Sequence, residues 1–202
     1  MKKSDAKKND ILNVAQGMFY KKGYEATTTR EINKSVGISD GSLYYYFPNG
    51  KREILDTIVK EGTISRIGII HANFSNLESI EDLEDRLIDF NSKIAAIFNK
   101  KNNYQSFLIT IRERNILTEE QSEWISEMMD QNVKNLADGL KILDRFGVLD
   151  RAEFENLAEI IISIIQKSVY DELIIRNQKR ISDKVIKRVN AKLHLFLSLI
   201  SD

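Results

Sequence analysis

The stretch TTTREINKSVGISDGSLYYYFPNGKREIL, residues 27–55, contains the signals for two short helices joined by a tight turn. Thr27 or Thr28 is a candidate N-cap for the first helix. Gly37 supplies the left-handed exit that a tight turn requires, and Ser39 can cap the second helix. The sequence therefore predicts a helix-turn-helix, an arrangement whose second helix enters the major groove of DNA.

Three consecutive tyrosines, Tyr44, Tyr45 and Tyr46, lie in the second of these helices. Leu43 and Phe47, four residues apart, predict its inward stripe. Three adjacent residues span about 200° of a helix circumference, so the tyrosines cannot share one core face. Outward tyrosines suit DNA, because a phenol donates a hydrogen bond to a phosphate oxygen while its ring lies against a sugar or a thymine methyl. The alternative is that they are partly buried residues at the rim of the core.

Composition favours an all-α protein. The 202 residues include one proline and nine glycines, and a β-rich fold would use more of both in its tight turns. Hydrophobic residues make up 42% of the chain, enough for a sizeable core. Capping signals at Ser79, Thr118 and Asp150 start further helices. We expect about nine helices and no convincing strand.

Several kinds of site are excluded or disfavoured. The chain has no cysteine, which excludes disulfides, cysteine-type zinc fingers and thiol nucleophiles. His71 and His194 are too few and too scattered for a metal site, and no carboxylate is paired with a nucleophile. We therefore expect no enzyme activity, no metal and no cofactor.

The chain also lacks a recognisable targeting or membrane segment. No apolar stretch of signal-peptide length follows the basic start. The longest apolar run, residues 193–200, is far short of the roughly 20 residues that a membrane span needs. We expect a cytoplasmic protein that does not enter a membrane.

Charge is distributed unevenly along the chain. Residues 1–60 hold 11 Lys and Arg against 7 Asp and Glu, whereas residues 61–202 hold 19 against 23. This modest asymmetry could reflect random variation of a solvated surface. It is informative because the basic part contains the predicted helix-turn-helix.

Residues 8–60 resemble the DNA-binding domain of the tetracycline-repressor (TetR) family of bacterial transcription regulators. The matching residues are Phe19, Gly23-Tyr24, Thr27-Thr28, Ile32, VGIS at 36–39, GSLYYYF at 41–47 and Lys51 through Leu55. The resemblance implies a helix-turn-helix domain at residues 1–50 and a regulatory and dimerisation domain at residues 51–202. It also implies that a connecting fourth helix, at about 51–71, begins the second domain.

The resemblance further implies which residues contact DNA. They are Thr28, Thr29, Arg30, Ser39, Asp40, Gly41, Ser42, Tyr44, Tyr45, Tyr46 and Lys51. Two features depart from the family pattern. Asp40 replaces a residue that is often basic or an amide, and it could accept from a cytosine amine but would be repelled by phosphate. The segment 47–51 has one residue more than the commonest spacing.

The last two helices indicate how the chain assembles. A predicted helix at about 151–176 has a wide apolar surface. The last helix has Val185, Val189, Leu193, Phe196 and Ile200 on one side, while Ala191, Leu195 and Leu199 lie nearly opposite. In the resembled family these helices form an interface with the partner subunit, so we expect a homodimer. The alternative is that both are buried within one subunit.

Aromatic and thioether side chains between about residues 93 and 170 suit an adaptable apolar cavity, although ordinary core would use the same residue types. The candidate ligand-binding residues are Tyr104, Phe107, Trp124, Met128 and Tyr170. The sequence thus predicts a repressor that binds a palindromic double-stranded DNA operator as a dimer and is released by a small, mostly apolar effector. The alternatives are an orphan DNA-binding regulator without a ligand, or an enzyme with an accessory DNA-binding domain.

Overall fold

A computed structural model of the chain describes residues 3–67, 74, 77–141 and 151–201. Within these ranges there are nine α-helices and no β-strand, which confirms the predicted all-α fold. The helices are α1 (Lys3–Lys22), α2 (Thr29–Val36), α3 (Asp40–Tyr46), α4 (Lys51–Ile67), α5 (Ile80–Phe98), α6 (Lys101–Arg112), α7 (Glu119–Leu140), α8 (Arg151–Val169) and α9 (Asp183–Ser201). A short 3₁₀ turn, Arg114–Ile116, precedes α7, and a π-helical turn, Tyr170–Ile175, follows α8.

Two predicted helix starts are confirmed by their capping hydrogen bonds. The Ser79 hydroxyl accepts from the Asp82 N–H at 3.1 Å at the start of α5. Before α7, the Thr118 hydroxyl accepts from the Gln121 N–H at 3.2 Å, and the Gln121 side chain accepts from the Thr118 N–H at 2.9 Å. The predicted start at Asp150 and residues 68–71 of the predicted connecting helix lie outside the described residues.

The chain divides into two compact units, of which the first comprises Met1–Ser65 and Lys100–Ser122. In this unit α1 packs against α2 and α6. Its fully buried apolar side chains come from α1 to α4, from the residue after α3 and from α6: Ile11, Ala15, Phe19, Ile32, Leu43, Phe47, Ile54, Leu55 and Ile109. The arginine at the end of α6, Arg112, donates to the backbone carbonyls of Phe19 and Tyr20 in the last turn of α1. The division at residue 50 stays a prediction.

The second unit comprises Arg66–Asn99 and Glu123–Asp202, and its α9 packs against α5 and α8. The buried positions of α9 are spaced four apart: Val185, Val189, Leu193 and Leu197. The sequence predicted Phe196 and Ile200 on this stripe, whereas the structure buries Leu197 and leaves Phe196 and Ile200 half-buried. Asn99 ties α5 to the start of α9, because its side chain accepts from the Ile181 N–H at 2.7 Å and donates to the Ile181 carbonyl at 3.0 Å.

The helix predicted to run to about Arg176 instead changes its winding after Val169. The π-helical turn is closed by the Arg176 N–H, which donates to the Asp171 carbonyl at 2.9 Å. Within this turn the buried Glu172 lies 3.3 Å from Arg188 of α9. This ion pair joins residues 16 positions apart, so the periodicity of α8 could not have indicated it.

None of the helices in the described ranges combines the length and the apolar character that crossing a membrane requires. No group of three or more His, Cys, Asp or Glu in those ranges could hold a metal ion. His71 lies outside the described residues, and the Nδ1 atom of His194 is 2.9 Å from the Glu84 carboxylate.

Candidate nucleic-acid interface

The start of α2 is a reciprocal capping box built by Thr28 and Glu31. The Thr28 hydroxyl accepts from the Glu31 N–H at 3.3 Å, and the Glu31 carboxylate accepts from the Thr28 N–H at 2.9 Å. Lys22, at the end of α1, donates to the other Glu31 oxygen at 2.6 Å. The Lys22 hydrogen bond, together with those from Thr28, lowers the pKa of Glu31 to about 2. Of the two predicted N-caps, the structure thus selects Thr28, and its side chain is used to start the helix.

The turn between α2 and α3 has the geometry that its sequence predicts. Gly37 adopts φ 70° and ψ 46°, the left-handed conformation that glycine adopts readily. The N–H of Gly37 and the N–H of Ile38, the latter at 3.0 Å, both donate to the Asn33 carbonyl. Ser39 then caps α3 by accepting from the Ser42 N–H at 3.3 Å, and the two serine hydroxyls lie 2.8 Å apart. The orientation of α3 on α2 is therefore defined by local hydrogen bonds.

Helix α3 presents its first two tyrosines to solvent. Leu43 and Phe47 are fully buried, as their four-residue spacing predicts. Tyr44 is 51% exposed and Tyr45 is 75% exposed. Tyr46 is half-buried, and its ring contacts the edge of the Tyr45 ring with centroids 5.1 Å apart. The outward prediction is thus met fully by Tyr44 and Tyr45 and partly by Tyr46.

Gly50 lies in the segment between α3 and α4 and packs against the Tyr44 ring. Its φ is 60°, a backbone conformation that side chains disfavour. A Cβ atom at this position would also lie 3.1 Å from Cε1 of Tyr44. The absence of a side chain at Gly50 therefore leaves room for the Tyr44 ring against the turn that precedes α4.

Asp40, at the start of α3, is joined to α2 by a short hydrogen bond. Its Oδ1 atom accepts from Nδ2 of Asn33 at 2.6 Å. Asn33 is buried, whereas Asp40 is exposed. Sequence reasoning missed Asn33, because no local pattern pairs residues seven positions apart across a turn.

Arg30 and its neighbours lie at the surface of the same unit. Arg30 is exposed, and no hydrogen bond or ion pair to another described residue is present at its guanidinium. Thr29 is half-buried, and Gly41 is exposed with open space around its α-carbon. These three residues leave the start of α2 and of α3 accessible to a ligand.

Lys51 contacts Tyr24 rather than pointing away from the protein. Its ammonium donates to the Tyr24 backbone carbonyl at 3.0 Å and lies 4.1 Å from the centre of the Tyr24 ring. Burial raises the pKa of the Tyr24 phenol. Tyr24 is also fixed by Glu113, whose carboxylate accepts from the Tyr24 N–H at 3.1 Å. The role of Tyr24 could not be predicted from sequence, since both partners are distant along the chain.

The candidate ligand-binding residues are divided between the two units. Tyr104 and Phe107 belong to α6 in the first unit, and Tyr104 is buried against Tyr20 with ring centroids 5.9 Å apart. Burial, with a smaller contribution from Tyr20, raises the pKa of Tyr104 to about 12. In the second unit Trp124 is half-buried and Tyr170 is 53% exposed. The side chain of Met128 lies outside the described residues.

The first unit contains a polar cavity of about 320 Å³ bordered by α1, α4 and α6. Amide and hydroxyl side chains line much of it, among them Asn13, Gln16 and Asn103. None of the five candidate ligand-binding residues lines this cavity. Its polar walls do not match the apolar effector that the sequence predicts.

Comparisons with known proteins agree with this architecture. Residues 11–58 match the family model described as bacterial regulatory proteins, tetR family. The solved structure of the TetR-family regulator PfmR from Thermus thermophilus matches with a TM-score of 0.68. That match covers 93% of this chain and 97% of PfmR at 21% identity, and it shows the shared fold.

Curated relatives match over the N-terminal part. The uncharacterized HTH-type transcriptional regulator YxaF of Bacillus subtilis (strain 168) is 32% identical over 90 residues, which are 44% of this chain and 45% of YxaF. The negative transcriptional regulator IcaR of Staphylococcus aureus (strain Newman), named for the biofilm operon icaADBC, is 38% identical over 85 residues, 41% of this chain and 45% of IcaR. The chain thus spans somewhat less than half the length of these relatives. The matched family model describes regulatory proteins. Residues 11–58 are therefore similar to the model of the tetR family of bacterial regulatory proteins, and the chain as a whole shares the fold of PfmR.

Proposed function

We propose that the chain is a transcriptional repressor that binds a palindromic DNA operator as a homodimer and is released by a small, mostly apolar effector. The observation that carries the DNA-binding part is the outward position of Tyr44 and Tyr45 on a capped helix-turn-helix. Two large aromatic side chains exposed on one short helix need a partner, and a phosphate backbone supplies acceptors for both phenols. Repression is proposed because IcaR is named a negative regulator.

The contacts with DNA divide into two classes. Tyr44, Tyr45 and Lys51 would contact phosphate and sugar, and they would position the protein without reading sequence. Arg30 is exposed without a partner among the described residues, so it is available to read a base edge or to pair with a phosphate. Thr28 would contribute through its position at the start of α2 rather than through its hydroxyl, which the capping box already uses.

The proposed homodimer is supported by apolar side chains that the second unit leaves uncovered. Leu195 and Leu199 on α9 are 58% and 72% exposed, one turn apart on the same face. Ile160 on α8 and Ile175 in the π-helical turn are also exposed. A second copy of the chain would cover these side chains, and a two-fold axis would present two recognition helices to the two halves of a palindrome.

Release by an effector is the regulatory part of the proposal. Its support is that Phe107 in the first unit and Trp124 in the second are each half-buried, so each unit leaves part of one aromatic side chain accessible to an apolar molecule. The competing candidate is an orphan regulator, and the polar lining of the described cavity favours it. The two candidates differ in whether any compound changes the affinity for the operator.

The DNA-binding proposal is tested by selecting fragments from a random DNA library with the purified full chain. We expect enrichment of a palindrome whose binding weakens steeply as salt increases, because the contacts are dominated by phosphates. The double variant Tyr44→Ala/Tyr45→Ala should lose binding to all sequences. Since both side chains are exposed, its thermal unfolding should remain close to that of the unmodified protein. Enrichment of no palindrome would overturn the proposal.

A further inference from the structure

We propose that Asn33 is a positioning residue for base recognition: it holds one oxygen of the Asp40 carboxylate so that the other accepts a hydrogen bond from a cytosine amine in the major groove. This inference rests on the proposed DNA-binding function and adds to it a specific base and the residue that aims its reader. Asn33 itself does not touch DNA.

Asp40 is held at only one of its two carboxylate oxygens. Nδ2 of Asn33 donates to Oδ1 of Asp40 at 2.6 Å. Asp40 is exposed, and within the described part of the chain Oδ2 makes no hydrogen bond. Asp40 thus presents a free acceptor from a fixed position at the start of the recognition helix.

The side-chain amide of Asn33 has one usable orientation. Its side chain is 3% exposed, and its Oδ1 atom is buried without a hydrogen-bond partner in the described part of the chain. Rotating the amide by 180° would place that oxygen against the Asp40 carboxylate, where two acceptors repel each other. The backbone of Asn33 is fixed as well, because its carbonyl accepts from the N–H groups of Gly37 and Ile38. A buried side chain on a closed turn therefore sets the direction of Asp40.

The charge of Asp40 restricts which groups of DNA it can contact. No cation lies within ion-pair distance of Asp40 among the residues that the structure describes, so its negative charge would be repelled by DNA phosphates. The charge is tolerated at a DNA-facing position only if the free oxygen meets a donor. The N4 amine of cytosine and the N6 amine of adenine are the donors in the major groove, and adenine presents its N7 acceptor beside N6. A carboxylate therefore favours cytosine over adenine.

The experiment begins with the operator that the unmodified full chain selects. Each position of one half-site is replaced by all four base pairs, and affinities are measured by competition. Asp40→Ala should abolish a cytosine preference of about ten-fold at one position of each half-site and leave the other positions unchanged. Asn33→Leu, which keeps a similar volume without the donor, should reduce the preference at that same position. Ser35→Ala, an exposed residue of α2, is the matched control and should change no preference.

A double-mutant cycle separates positioning from a general structural role. If Asn33 acts through Asp40, adding Asn33→Leu to Asp40→Ala should change the base preference no further. Changes at several positions, or a further change in the double variant, would overturn the positioning role. If Asn33→Leu fails to fold, Asp40→Ala still tests the inference. An unchanged cytosine preference in Asp40→Ala overturns it. A chain that selects no operator refutes the proposed function instead, which distinguishes the two failures.

Discussion

The Lys51 ammonium lies 4.1 Å from the centre of the Tyr24 ring and donates to the Tyr24 backbone carbonyl at 3.0 Å. One side chain at the start of α4 therefore binds the loop between α1 and α2 through two contacts. Glu113 fixes the same loop through the Tyr24 N–H. Lys51 has a structural role in addition to its proposed contact with a phosphate, and the two roles require separate measurements.

Lys51→Ala should weaken binding to operator and non-operator DNA by the same factor, because a phosphate contact carries no sequence information. The slope of log affinity against log salt should decrease by about 1. Lys51→Arg is the control, since it keeps the charge and should retain the slope. A loss of affinity with an unchanged salt slope would assign the effect to the displaced Tyr24 loop instead.

Gly50→Ala should destabilise the protein and weaken DNA binding together. The new Cβ would lie 3.1 Å from the Tyr44 ring, and φ of 60° costs about 1–3 kcal/mol for a residue with a side chain. Chemical denaturation measures the first effect, and affinity for non-operator DNA measures the second.

Gly17→Ala is the matched control for this variant. Gly17 lies within α1, and a Cβ atom added there would meet nothing within 4 Å. Alanine at this position should therefore stabilise the helix by about 0.5–1 kcal/mol. If Gly50→Ala matched Gly17→Ala in stability, the steric account of Gly50 would be wrong.

The capping box should make stability depend on pH in the acid range. The pKa of Glu31 is about 2 in the folded protein and 4.5 for the free side chain, so the folded state favours the ionised carboxylate. The stabilisation is fully present above pH 4.5 and is lost as pH falls from 4.5 towards 2. Glu31→Gln removes this charge. The difference in free energy of unfolding between the unmodified protein and Glu31→Gln, measured by urea titration, should therefore shrink as pH falls over that interval. A difference that stays constant with pH would contradict the role of the charge.

Leu199→Asp should convert the proposed homodimer to a folded monomer. A carboxylate buried in an apolar interface pays a desolvation cost without a partner, whereas Leu199 at 72% exposure is not needed to fold one subunit. Phe196→Asp, which the sequence alone would have favoured, is a less specific test because Phe196 is half-buried. Lys187→Asp, at an exposed polar position of α9, is the control. Sedimentation at micromolar concentration should show a dimer for the control and a monomer for Leu199→Asp.

Signals that act within a few residues predicted much of the N-terminal fold. Gly37 and Ser39 predict the turn because a left-handed glycine ends one helix and a serine two residues later caps the next. The same local reasoning would have found the capping box, since Thr28 and Glu31 have the characteristic three-residue spacing. That signal was present in the sequence and was missed.

Contacts between distant residues could not be predicted in this way. Tyr24 meets Lys51 and Glu113, which are 27 and 89 positions away, and only the packing of the helices brings them together. The winding change after Val169 is a similar case, because helical periodicity continues smoothly into residues 170–175. The candidate ligand-binding residues were predicted from residue type alone, and residue type does not indicate burial. Tyr104 is buried whereas Tyr170 is exposed, although both are tyrosines.

The proposed effector should be found among lipophilic compounds that raise the thermal unfolding temperature of the full chain. Each such compound is then tested for its effect on operator affinity. Linkage requires that a compound which weakens DNA binding by a given factor binds the DNA-free protein more tightly by the same factor.

Phe107→Ala and Trp124→Ala should each lower the affinity of the protein for these compounds. Tyr170→Ala tests the most exposed of the candidate residues whose side chains the structure describes. Unchanged compound affinity in both Phe107→Ala and Trp124→Ala would contradict both proposed contacts. If no compound changes operator affinity, the orphan regulator replaces the ligand-released repressor, because regulation by release requires a difference in affinity between the two states.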